Sequence, residues 1–108
     1  MPLMDGIIPY SNNVKTSYSK DQFGMVIIHF SVKKSDGTPF EKGNVVIAKL
    51  PSGYAPQKRV VTVIGHNVLT PSIVIVQSKL ESSSAGNVLA YIISENVRVI
   101  EGTIVFYA

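Results

Sequence analysis

Met25-Val26-Ile27-Ile28-His29-Phe30-Ser31-Val32-Lys33 is the stretch that decides the fold class. Val26, Ile28, Phe30 and Val32 stand at alternate positions, and in an extended chain alternate side chains share one face. That set reads as a core face, with Met25, Ile27, His29 and Ser31 on the reverse. A helix would spread the same residues around its circumference. Outward from this run, residues 14–19, 44–50, 59–64, 72–79, 87–93 and 103–107 carry the same signal, with a further short strand at 97–100. Each is rich in Val, Ile, Thr or Tyr and is bounded by Gly, Pro, Asn, Asp or Ser. No segment joins a sustained helical period to capping signals.

The connectors supply turn chemistry. Ser35-Asp36-Gly37 accepts the positive φ of a tight hairpin, and Ser84-Ala85-Gly86-Asn87 does similar work further on. Leu50-Pro51-Ser52-Gly53-Tyr54-Ala55-Pro56 cannot lie inside a sheet, because its prolines lack the ladder donor. It is expected to cross between strands or sheets. Short strands with turns at this spacing imply an all-β fold, an antiparallel β-sandwich or jelly roll.

Several strands are apolar on both faces. Val61 and Val63 stand beside Val60 and Ile64, and Val74 and Val76 beside Ile73 and Ile75. Leu89, Tyr91 and Ile93 likewise stand beside Val88 and Ile92. An antiparallel sheet with one wetted face keeps that face polar, and large apolar patches rarely persist on monomers. Self-association is the expectation.

The 108 residues suit one domain, read as a lead-in or linker over 1–13 and a β head domain over 14–108. The chain holds no cysteine, so disulfides and thiolate metal sites are excluded, and synthesis in a reducing cytoplasm suits it. No run of about 18 apolar residues occurs, and residues 1–10 do not read as a secretory signal, so no membrane insertion is expected. The formal charge is +3. The basic residues are dispersed, with Lys33-Lys34, Lys58-Arg59 and Arg98 far apart, so no nucleic-acid partner is expected.

Little in the chain points to catalysis. His29 and His66 lack a metal-binding spacing, and neither a nucleophile elbow nor a phosphate-binding Gly-rich loop is present. The carboxylates Asp5, Asp21, Asp36, Glu41, Glu81, Glu95 and Glu101 fall mostly at turns or strand ends, where charge commonly protects a sheet edge. No catalytic residue, metal ligand or cofactor is assigned.

Sugar binding asks for less: an aromatic face for a pyranose and polar groups for its hydroxyls. Tyr54, Arg59, His66, Asn67, Asn87, Tyr91 and Arg98 are of the right types. Each has a plain structural reading too: Tyr54 as a brace for the crossover, Tyr91 as a contact between subunits, the arginines as surface charge.

Three segments form one ordered pattern. They are Tyr18-Ser19-Lys20-Asp21-Gln22-Phe23-Gly24-Met25-Val26, Leu50-Pro51-Ser52-Gly53-Tyr54-Ala55-Pro56, and Glu101-Gly102-Thr103-Ile104-Val105-Phe106-Tyr107. The pattern resembles the C-terminal receptor-binding domains of tail-fibre and baseplate proteins of tailed bacteriophages of Gram-positive hosts, over residues 14–108. The resemblance implies a homotrimer in the virion tail that adheres to host cell-wall glycopolymer, saccharide or teichoic acid, beside other tail or baseplate proteins. A structural trimeric module that docks another virion protein is the alternative. The binding loops of that family vary, so no sugar-contacting residue carries over by position.

Overall fold

The structure, a computed structural model, describes residues 3–10, 16–64, 72–93 and 95–108. In chain order the strands are β1 (Ile7–Pro9), β2 (Ser17–Lys20), β3 (Met25–Lys34), β4 (Gly43–Lys49), β5 (Val60–Ile64), β6 (Ser72–Val76), β7 (Asn87–Ile92) and β8 (Ile100–Tyr107). A 3-10 turn at Ser82–Ser84 precedes β7, and no α-helix occurs among the described residues. The chain is all-β, in two antiparallel four-stranded sheets.

The first sheet is built on β3. One edge of β3 pairs with β8 from Met25↔Tyr107 to Val32↔Ile100. The other edge pairs first with β2, from Lys20↔Val26 to Ser17↔His29, and then with β1 around Ile8↔Lys33. Val26, Ile28, Phe30 and Val32 are fully buried, as their alternation predicts. Across the ladder Val26 meets Phe106 and Ile28 meets Ile104, while Phe30 lies opposite Gly102. The largest inner side chain therefore faces a position with no side chain of its own.

The second sheet runs β4-β7-β6-β5. Its register sets Val60, Val76, Val88 and Ala48 in one row and Thr62, Val74, Ala90 and Val45 in the next. A β-bulge between Val46 and Ala48 interrupts β4 and allows Ile47 and Ala48 both to be buried. An extra residue on one strand breaks strict alternation, which lets neighbours share a face. These rows and the inner face of the first sheet form one hydrophobic core.

Several boundaries differ from the sequence reading; of the run expected over 14–19, residues 14 and 15 lie outside the described residues and β2 runs Ser17–Lys20. Residues read as lead-in form β1, and Ile7 joins the core. A three-residue strand has no period to read, and Pro9, which lacks a ladder donor, suits its end. The run expected over 72–79 stops at Val76, because Lys79 turns to donate its N–H to Pro56 O at 2.9 Å and Glu81 Oε2 accepts from Ser78 N–H at 2.6 Å. Of the short strand expected at 97–100, residues 97–99 are instead an irregular approach, with Val97 and Val99 buried and Val97 O accepting from Phe40 N–H at 2.8 Å, and Ile100 opens β8, which starts ahead of the strand expected at 103–107.

Phe30→Ala empties the centre of this core. Its unfolding free energy should fall by about 3–5 kcal/mol, the usual cost of truncating a buried aromatic. Urea denaturation of the two proteins, followed by circular dichroism, checks the value.

Candidate functional site

The three segments that carry the resemblance meet in the folded chain. Asp21 organises the turn between β2 and β3: its Oδ1 accepts from Phe23 N–H at 2.8 Å and Met25 N–H at 2.9 Å. That turn places Lys20 so that its Nζ donates to Gly53 O at 2.8 Å and lies 5.7 Å from the Tyr54 ring centroid. Tyr18 meets Tyr54 edge to face, with centroids 5.1 Å apart. The last segment joins from the other side, where Ala108 N–H donates to Gly24 O at 2.9 Å beside the Met25↔Tyr107 pair.

The crossover is held as a rigid wall. Tyr54 N–H donates to Pro51 O at 3.2 Å, and Gly53 takes a φ of 91°, which the third position of a type II turn requires. Leu50 N–H donates to Gly86 O at 2.9 Å. Gly86 has a φ of 80° and lies so near that a Cβ there would stand 3.2 Å from Leu50 O. Between this wall and the connection from β6 to β7 lies an open cleft of about 340 Å³, lined in part by Lys49, Leu50, Ser52, Gly53 and Lys79. Lys49 and Lys79 are exposed, and Lys49 Nζ donates to Ser83 O at 3.2 Å. A second cleft of about 240 Å³ lies between Ile7, Lys34, Phe40, Glu41 and Val45. Among the described residues, neither cleft is lined by the pair of carboxylates that glycoside hydrolysis uses.

The sugar-binding candidates do not gather in one place. Tyr54 braces the crossover against Tyr18 and Lys20. Arg59 pairs with Glu81, which also accepts from Gln77 Nε2 at 3.3 Å. Asn87 shares that end of the sheet, since its O accepts from Gln77 N–H at 2.9 Å and it stands opposite Lys49. Tyr91 is exposed on the outer face of β7. Arg98 is occupied elsewhere, donating from Nη1 to Gly37 O at 2.7 Å. His66 and Asn67 lie outside the described residues. The lysines of the cleft escaped the sequence reading, because Lys49 and Lys79 are distant in the chain and only the crossover brings them to one opening.

Around Tyr91 the outer face of the second sheet is apolar. The register sets Val63, Ile73, Tyr91 and Asn44 in one outer row and Val61, Ile75, Leu89 and Val46 in the next. Ile73, Ile75 and Leu89 are half-buried, with apolar neighbours directly across on both flanking strands. Val61 and Val63, on the outermost strand, are 59% and 65% exposed. The first sheet's outer face is mixed: Val105 and Tyr107 are exposed, while His29 Nδ1 lies 2.9 Å from Thr103 Oγ1 and Ser31 Oγ donates to Glu101 Oε2 at 3.1 Å.

Compared with protein-family models, curated proteins and solved structures, the chain matches none.

The Arg59 guanidinium, with help from Ser78 N–H, holds the Glu81 carboxyl down at about 2, against an ordinary value of 4.5. A depressed folded pKa means that the unfolded chain binds the proton first as pH falls. The stabilisation is therefore complete above pH 4.5 and is lost as pH drops towards 2. Glu81→Gln should flatten the pH dependence of unfolding across that window, as measured by denaturation at a series of acidic pH values.

Proposed function

We propose that this chain is a non-catalytic head domain from the tip of a bacteriophage tail fibre or baseplate. In this reading it is a homotrimeric antiparallel sandwich or jelly roll that attaches the virion to host cell-surface saccharide or teichoic acid. The observation that carries the reading is the meeting of the three resembling segments: Lys20 on Gly53, Tyr18 on Tyr54, and Ala108 on Gly24. Residues that form a pattern in sequence and then build one corner of the fold support a shared architecture.

Other observations agree. Two antiparallel sheets around one core fit a sandwich. The outer rows through Val61, Ile75, Leu89 and Val46 fit a surface covered by other copies. Assembly suits adhesion, because several weak sites on one particle hold a polymer far longer than one site does. The same rows also favour the second reading, a trimeric structural module that docks another virion protein, since such a face takes up protein more readily than sugar.

Sedimentation at micromolar concentration should give three times the 11.7 kDa chain mass. The double variant Val61→Lys/Val63→Lys should sediment as one chain that keeps its β-sheet circular dichroism, because both side chains reach solvent in the single chain, and its unfolding midpoint should fall to that of the unassembled protein. The assembled protein should be retained on purified host cell wall and released by soluble wall polymer. A wild-type protein that remains one chain at these concentrations, or that washes off every wall preparation, overturns the reading; retention through a virion protein alone selects the docking module.

A further inference from the structure

Resting on the adhesion reading above, we infer that the cleft beside the 51–56 crossover holds the wall polymer, and that it takes the phosphodiester groups of a polyol-phosphate chain rather than the face of a neutral sugar. The lining decides the chemistry. Lys49 and Lys79, each carrying an ammonium group, line the opening, and among the described residues no carboxylate does. Lys20 brings a third lysine to the rim through its hydrogen bond to Gly53 O. Ammonium groups bind phosphate oxygens through charge-assisted hydrogen bonds. The ring of Tyr54, which stands in the chain between the lining residues Gly53 and Ala55, is already packed against Tyr18 and Lys20 and does not line the cleft. A neutral pyranose would find no platform there.

The size and stiffness of the opening fit a flexible linear anion. About 340 Å³ lies at the small end of ligand pockets, roughly 300–1,000 Å³, and suits a short stretch of polymer rather than a branched glycan. Backbone hydrogen bonds from Leu50 to Gly86 and from Lys79 to Pro56 tie the two walls together. Lys49 is held over Ser83 O, and Glu81, which follows close on Lys79 in the chain, is neutralised by Arg59. The Lys49 ammonium is thus held in place before a ligand arrives. Nucleic acid, the other phosphodiester polymer, is disfavoured because among the described residues the lining offers no aromatic ring on which a base would stack.

The test uses the whole chain, titrated calorimetrically with purified glycerol-phosphate polymer, a neutral wall polysaccharide, inorganic phosphate and single-stranded oligothymidylate at a series of salt concentrations. The glycerol-phosphate polymer should bind most tightly, and its affinity should fall as salt rises. Lys49→Gln and Lys79→Gln should each weaken that binding about threefold to tenfold and reduce its salt dependence, with unchanged melting. Lys33→Gln, which removes the same charge beside Tyr10 on the first sheet, should bind as the wild type does. Polymer binding that survives both cleft substitutions, or binding of the neutral polysaccharide alone, overturns the assignment and leaves the adhesion reading standing. Oligothymidylate binding as tight as the polymer overturns the choice of ligand, and inorganic phosphate binding as tight as the polymer overturns recognition of a chain. Binding of none of the probes counts against both readings.

Discussion

Strand β3 pairs with β8 from Met25 to Val32 and shares its other edge between β2 and β1. Three strands therefore take their register from one, and the alternation of Val26, Ile28, Phe30 and Val32 fixes which of their side chains turn inward. A shift of one residue would carry all four to the outer face and bring Met25, Ile27, His29 and Ser31 into the core. His29 and Ser31 would then lose Thr103 and Glu101 as partners. An unsatisfied polar group in a core costs on the order of 1–3 kcal/mol, so both faces of the strand resist the slip.

The second sheet obeys a looser rule. Its inner rows are as apolar as those of the first sheet, but its outer rows are nearly as apolar, so burial alone does not separate its two faces. Local chemistry does. The bulge after Val46 sets both Ile47 and Ala48 inward, and Lys49, opposite Asn87, begins a polar end that continues through Gln77, Glu81 and Arg59. The crossover follows directly from that end, which is why basic residues and a rigid proline-bounded wall share one opening.

Much of the architecture was legible because alternation is a local property. Residues 25–33 reveal their faces without knowledge of their neighbours, and 50–56 announces a crossover through its prolines; the bulge hides the faces of 44–50 from the same reading. What stayed hidden depends on partners distant in the chain. β1 is a strand because the far end of β3 offers it an edge, and Ser78 and Lys79 leave the ladder because Glu81 and Pro56 draw them away. The site was less legible than the fold. Residue type nominated Tyr54, Arg59 and Arg98, yet each is committed to a neighbour: Tyr18, Glu81 and Gly37 O respectively. Lys49 and Lys79 carry no local signal of their own, and only three-dimensional proximity distinguishes them from other surface lysines.

The pairing of β3 with β8 also governs how the chain is made. His29 and Thr103, neighbours across that ladder, are 74 residues apart in the chain. As the polypeptide leaves the ribosome, β3 emerges early and waits with one apolar edge open until β8 follows. Pairings between such distant segments close slowly, because loop entropy must be overcome before any contact rewards it. A nascent or truncated chain lacking β8 thus exposes an unpaired strand to its neighbours on the polysome, and the emergence of β8 is what closes the first sheet.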